Sequence, residues 1–189
     1  MAKIVLASGS PRRRELLERI GLTDFTVRVP ETEETYPPTL SPGETVAYLS
    51  RKKAAALDAA ADELVIAADT MVFLDGARLG KPADEAEALA MLTALQGRQH
   101  TVCTGVTVRQ GDRFSTQFEE SRVFFRPASR KELLRYIASG EPMDKAGAYG
   151  IQGRGALLVE RLEGDFFNVM GLPVLRLSRM LADFGVTLL

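Results

Sequence analysis

The chain has 189 residues, 46% hydrophobic and 26% charged, a composition that excludes a disordered tail, a collagen-like chain and a coiled coil and is long enough for a real core. Its 24 basic and 25 acidic side chains leave a net charge of -1, too balanced for a general nucleic-acid binder. One cysteine, Cys103, and one histidine, His100, exclude a disulfide within the chain and Cys/His zinc sites, so any metal must be held mainly by oxygen, as magnesium and manganese are.

Residues 3–7 read as a short buried strand. Ser8-Gly9-Ser10-Pro11 breaks it and opens a helix, with Ser10 as N-cap and Pro11 at the first helical position. That helix carries Leu16, Leu17 and Ile20 and ends at Gly21. Residues 25–29 read as a second strand, and 30–40 as a loop rich in Pro, Thr and Glu. Ser41-Pro42-Gly43-Glu44 is a capping box starting a long helix to about Ala61. Residues 64–74 form a strongly apolar strand interrupted by Asp69 and Thr70. Asp75-Gly76 is a hairpin turn signal, with 77–79 as the return. A helix over 84–95 closes at Gly97, and strands over 100–108 and 114–125 flank a second turn at Gly111-Asp112. Ser129-Arg130-Lys131-Glu132 is another capping box, for a helix ending at Gly140. Residues 144–155 are Gly-rich and irregular, 156–162 form a strand, and 172–184 form the last helix.

This mixture of helices and hairpins predicts an α/β chain with a mixed sheet flanked by helices, not a strictly parallel one. No repeat or long linker marks a boundary, so residues 1–189 read as one domain. No apolar run reaches the length of a membrane span. The stretch Met1-Ala2-Lys3-Ile4-Val5-Leu6-Ala7-Ser8 is too short in its apolar part for a signal peptide, which makes the cytoplasm the expected compartment.

Several groups carry chemistry. Arg12, Arg13 and Arg14 crowd the first turn of a helix, where cations oppose the dipole. A bound anion reverses that sign, and free backbone N–H groups with arginine forks suit phosphate oxygens. The plainer alternative is a solvated basic patch with one arginine paired to a nearby acid. Asp69 interrupts an apolar strand, and a buried carboxylate is costly unless paired, protonated or bound to metal. Otherwise it lies at the strand's end, capping a loop. Lys53 shares a helical stripe with Val46, Leu49 and Leu57, so it either snorkels to solvent or faces a charged partner. Lys52 points elsewhere, toward solvent. Lys81 sits in the tight Gly80-Lys81-Pro82 loop and says little alone.

Glu31, Glu33 and Glu34 read as solvated loop, though one of them could complete an oxygen-rich metal site. The run Asp144 to Gly155 lets backbone approach a ligand closely, and the Gln152 amide can read a base edge. It reads equally as a connection between helix and strand. His100 and Cys103 fall on opposite faces of a strand, which disfavours a Cys–His pair and leaves both structural. No Walker loop, GxGxxG or GxSxG is present.

Together these pieces resemble the Maf family of nucleoside triphosphate pyrophosphatases over nearly the whole chain. The markers are Leu6-Ala7-Ser8-Gly9-Ser10-Pro11-Arg12-Arg13, Ala68-Asp69-Thr70, Gly80-Lys81-Pro82, the run from Asp144 to Gly153, and Val169-Met170-Gly171-Leu172-Pro173. The resemblance implies an elongated fold like that of the inosine triphosphate pyrophosphatases, with two lobes and a central cleft. It implies hydrolysis of a nucleoside triphosphate to monophosphate and pyrophosphate with magnesium or manganese. Carried over residue by residue, Asp69 is the proton acceptor and Glu33 lies among the groups around the phosphates; on chemical grounds Glu33 and Asp69 would supply the metal's oxygen ligands. Lys53 and Lys81 lie around the phosphates, with Ser8, Ser10 and Arg13 in the binding site. Arg12, Thr70 and Gln152 occupy the specificity positions. A branch acting on 7-methyl-GTP has Trp, Gln and Glu there, so this chain looks like the dTTP/UTP branch. Gly9, where many relatives carry a larger polar residue, is a small departure. A homodimer is expected by analogy, with no nucleic-acid or membrane partner. The competing expectation is a nucleotide-sensing regulator of cell division that turns over slowly or not at all.

Overall fold

The computed structural model describes residues 3–189. Met1 and Ala2, which begin the stretch read as too short for a signal peptide, lie outside the described residues. Strand β1 (Lys3–Leu6) lies between β2 (Phe25–Val27) and β3 (Glu63–Leu74), parallel to both. Helix α1 (Pro11–Arg19) connects β1 to β2, and α2 (Pro42–Ala56) connects β2 to β3. Strand β4 (Ala77–Leu79) returns antiparallel along the end of β3. The turn between them has φ 51° at Asp75 and 82° at Gly76, the left-handed pair that a two-residue hairpin favours.

After α3 (Glu85–Leu95) come β5 (Gln99–Gln110), β6 (Arg113–Phe125), α4 (Arg130–Ile137), β7 (Val159–Glu163), α5 (Phe166–Met170) and α6 (Val174–Ala182). The sheet order is β2-β1-β3-β5-β6-β7, with β4 beside β3 and β7 antiparallel to β6. The sheet is mixed, as the hairpin signals predicted.

The chain forms two compact units. The first holds Met1–Asp69, Thr104–Glu119 and Gly171–Leu189; the second holds Thr70–Cys103 and Glu120–Met170. In the first, Leu16 and Leu17 of α1, Val46 and Leu49 of α2, and Leu64 and Ile66 of β3 are buried. In the second, Leu92 and Leu95 of α3, Val123 of β6 and Leu133 of α4 are buried. No helix among the described residues is long and apolar enough to cross a membrane.

Two devices set α2, one local and one distant. Its capping box forms: the Ser41 hydroxyl accepts the Glu44 N–H at 3.4 Å, and the Glu44 carboxylate accepts the Ser41 N–H at 2.9 Å. Its other end is fixed from afar. Arg109 Nη1 donates to the carbonyls of Ala54 at 2.9 Å, Ala55 at 3.3 Å and Leu57 at 3.0 Å, satisfying acceptors the last turn leaves open. Leu57 then turns extended and buries its side chain with Val5, Ala54 and Val65. The helix therefore stops at Ala56 and does not reach Ala61.

Other boundaries shift for local reasons. The second strand ends at Val27, and β7 begins only at Val159, after a 3₁₀ turn over Arg154–Leu158. The last helix starts at Val174 because Pro173 takes the N-cap position. Before it lies α5, which the sequence reading lacks; the Asp165 carboxylate accepts the Phe167 N–H at 2.7 Å as its cap.

Candidate active site

Residues 64–69 of β3 are all buried, so both faces of this strand are covered. Asp69 is 5% exposed in the middle of β3, and the alternative of a strand-end loop cap is excluded. Its Oδ1 accepts a close charge-assisted hydrogen bond from Lys53 Nζ. Lys53 faces inward on the α2 stripe with Val46 and Leu49, and its Nζ also meets Glu34 Oε1 at 3.2 Å. It does not snorkel. Lys52 also differs from expectation: its Nζ donates to the Thr35 hydroxyl at 2.9 Å and carbonyl at 3.3 Å, tying α2 to the loop.

The basic cluster at the start of α1 divides. Arg13 turns inward, its Nε donating to the Gly171 carbonyl at 2.8 Å and Nη1 to Ser8 Oγ at 3.0 Å. Burial pushes its guanidinium pKa down, while the Asp69 and Glu34 carboxylates push the other way and Arg12 adds to the fall. Ser10 stands at the N-cap, but its side chain makes no cap bond. The Ser8 hydroxyl takes the Ser10 N–H instead, at 3.3 Å, and is nearly buried. Arg14 points outward toward Glu18 at 3.9 Å, an exposed pair of little weight. Arg12 is half-buried. Gly9 is exposed, and a Cβ there would meet Val29 at 3.3 Å, so a larger residue needs a small adjustment.

The structure thus brings Ser8, Arg13, Lys53 and Asp69 together in the first unit and adds Glu34, which sequence reasoning did not choose. Glu33 is exposed, one residue earlier in a loop that has no period to set its phase. The second unit carries Thr70, Lys81 and Gln152. Thr70 follows Asp69 on β3 and is half-buried, whereas Lys81 and Gln152 are exposed. The loop holding Lys81 is tied down where Gly147 N–H donates to the Gly80 carbonyl at 3.0 Å. A Cβ on Gly147 would press on Val72 at 3.1 Å, and its φ of +70° already favours glycine. Glu141 and Tyr136, which no motif singled out, organise the backbone on either side of Gln152.

One atom of this arrangement has chemistry to spare. Asp69 Oδ2 is buried and has no hydrogen-bond partner among the described residues. A buried carboxylate oxygen normally finds a donor or an ion. The donor set is oxygen only, and no group of three or more His, Cys, Asp or Glu that could hold a metal occurs among the described residues. A free carboxylate oxygen suits magnesium or manganese, which bind through one or two carboxylates and complete their shell with water and substrate phosphate.

His100 and Cys103 belong to the packing. His100 Nε2 lies 2.8 Å from the Tyr149 hydroxyl, and its ring meets Phe125 and Tyr149 edge-on. Burial pushes its pKa down to about 4. The Cys103 thiol, buried beside Glu120, is pushed up to about 12, first by burial and then by that carboxylate, and so stays protonated.

Comparison with known proteins follows the same lines. The chain is 50% identical over 192 residues, the whole of both chains, to a protein of Pelotomaculum thermopropionicum named dTTP/UTP pyrophosphatase. It is 49% identical over 186 residues to one of the same name from Symbiobacterium thermophilum, covering 98% of this chain and 95% of that one. A solved HAM1 protein from Coxiella burnetii shares the fold, with a TM-score of 0.51 at 16% identity over 97% of this chain and 100% of that one. The profile described as Maf-like protein matches residues 3–184, and the chain belongs to the Maf-like family.

Proposed function

We propose that this chain hydrolyses dTTP and UTP to the nucleoside monophosphate and pyrophosphate. The observation that carries the reading is Asp69, buried in β3 with one oxygen on Lys53 and the other unbonded. Full-length identity of 50% and 49% to proteins named for this activity supports it. Water attacks the α-phosphorus: a new P–O bond forms, the bond from that phosphorus to the α–β bridging oxygen breaks, and pyrophosphate leaves. Asp69 orients the water and takes its proton, the task of a positioned general base. Lys53, Arg13 and Lys81 offset the negative charge of the phosphates, and the Ser8 and Ser10 loop faces the same groups. Arg12, Thr70 and Gln152 hydrogen-bond the pyrimidine edge, a kind of recognition that strongly rejects bases with the wrong donor pattern.

Asp69 through Oδ2, with Glu33, would hold a divalent metal, which when bound supplies charge neutralisation and acidifies water. Glu34 is the neighbour to separate from Glu33: Glu33→Gln lowers metal affinity, and Glu34→Gln leaves it intact. The enzyme works in the cytoplasm as a homodimer, without nucleic-acid or membrane partners; the near-zero net charge supports the former exclusion.

The deciding assay is pyrophosphate release from dTTP, UTP, CTP, dGTP and 7-methyl-GTP, with and without magnesium or manganese. Metal-dependent release led by dTTP and UTP is expected. Binding without release from any of them overturns the enzyme reading in favour of a nucleotide sensor.

A further inference from the structure

Residues 141–155 are built around one carboxylate. Glu141, in the 3₁₀ turn after α4, accepts the Arg154 N–H on Oε2 at 2.8 Å and the Gly155 N–H on Oε1 at 3.0 Å. The same Oε1 accepts the Tyr136 hydroxyl at 2.9 Å, and that hydroxyl in turn accepts the Gly150 N–H at 3.0 Å. Both sides of the turn bearing Gln152 are thus fastened to Glu141, one directly and one through Tyr136 of α4. Lys145 completes the base, its Nζ donating to the Glu141 carbonyl at 2.8 Å and to Asp144 at 2.6 Å.

The glycines fit this clamp. A Cβ on Gly153 would overlap the Glu141 carboxylate, and one on Gly150 would lie 2.7 Å from the Lys145 stem. On Gly155 it would lie 2.7 Å from the Tyr136 hydroxyl. Bare backbone is what allows three N–H groups to close on the acid and the phenol. Net, the hydrogen bonds from Gly155, Arg154 and Tyr136 hold the Glu141 pKa below the ordinary carboxylate range, against the burial that raises it. The acceptor is therefore charged at neutral pH, and hydrogen bonds to charged groups are the strong ones.

We infer that Glu141 is a positioning residue for Gln152: it fixes the turn that presents the amide, so base discrimination depends on an acid that acts only through the backbone it holds. The inference rests on the base-reading role proposed for Gln152. E141Q keeps the side chain's shape but replaces one acceptor oxygen with an NH2 that faces N–H donors. Hydrogen bonds to a charged group are the costly ones to lose, so roughly tenfold or greater effects are expected. In the wild type, E141Q, Y136F and Q152A, two things are measured: amide exchange at Arg154 and Gly155 without substrate, and kcat/KM for dTTP against dGTP.

E141Q is expected to speed exchange and to lower discrimination toward that of Q152A, through KM, with kcat for dTTP little changed. Y136F shifts both in the same direction by less, and decides the matter if E141Q does not fold. E141Q with wild-type exchange, or with wild-type discrimination while Q152A loses it, overturns the inference alone. Loss of kcat on every substrate in folded E141Q overturns it too, by giving Glu141 a part in the chemistry. Wild-type discrimination in Q152A overturns the base-reading role of Gln152 and the inference with it.

Discussion

Asp69 lies in a strand covered on both faces, and Lys53 comes to it from α2 to pair with it. Asn at this position still offers an oxygen to Lys53 but cannot take a proton. Asp69→Asn should therefore remain folded while pyrophosphate release falls by about 10²–10⁴-fold; a variant with near-normal turnover removes the proposed base. His100 makes a second residue-level prediction. The unfolded chain protonates it near 6.5, the folded chain only near 4, because the buried ring resists charge. Between those values the unfolded state binds more protons, so stability is complete above about pH 6.5 and falls as acid is added. On the order of 3 kcal/mol is at stake for this one group. Urea unfolding between pH 5 and 6.5, where most carboxylates are already ionised, should show that slope in the wild type and lose it in His100→Phe. A slope that survives the substitution assigns it elsewhere.

Among the elements, α2 is the one the site depends on most, since it carries Lys53. Gly105 of β5 lets it approach: a Cβ there would overlap the Val46 carbonyl. Gly105→Ala is expected to cost about 1–3 kcal/mol through overpacking, and to lower turnover by moving Lys53. Thermal melting and pyrophosphate release should fall together, and an unchanged melting point would show that α2 has room to spare. The start of α2 was legible because Ser41 and Glu44 are three residues apart and cap each other locally; Ser129 and Glu132 do the same for α4. Its end was not, because the cap is Arg109, a side chain from β5 that no local pattern announces. The same distinction runs through the site. The stripe of Val46, Leu49 and Lys53 aimed the lysine correctly, since helical period fixes direction. The choice between Glu33 and Glu34 lies in an irregular loop, where nothing does. Short α5 has too few residues for a periodic signal, and the pairing of Arg13 with Gly171 spans 158 positions.

At the scale of the whole molecule, neither unit is a continuous stretch of chain. Three segments build the first and two the second, and three of the four divisions fall inside strands: β3 between Asp69 and Thr70, β5 between Cys103 and Thr104, β6 between Glu119 and Glu120; the fourth follows α5, between Met170 and Gly171. A fragment of residues 1–69 lacks the β5 and β6 segments of its own unit and should not fold alone; a cooperative melt of that fragment would be the contrary result. In the intact chain Cys103, fully buried, should react with a thiol reagent only as the fold opens, which gives an independent probe of whether all 189 residues unfold as one domain. The bond between Arg13 and Gly171 has a bearing on synthesis as well. A chain emerging from the ribosome presents Ser8 to Arg13 long before the carbonyl that turns Arg13 inward, which lies 158 positions later. A chain synthesised only part-way to Gly171 therefore displays the basic loop without the contact that sets Arg13, and the loop takes its final form only when the two distant segments meet.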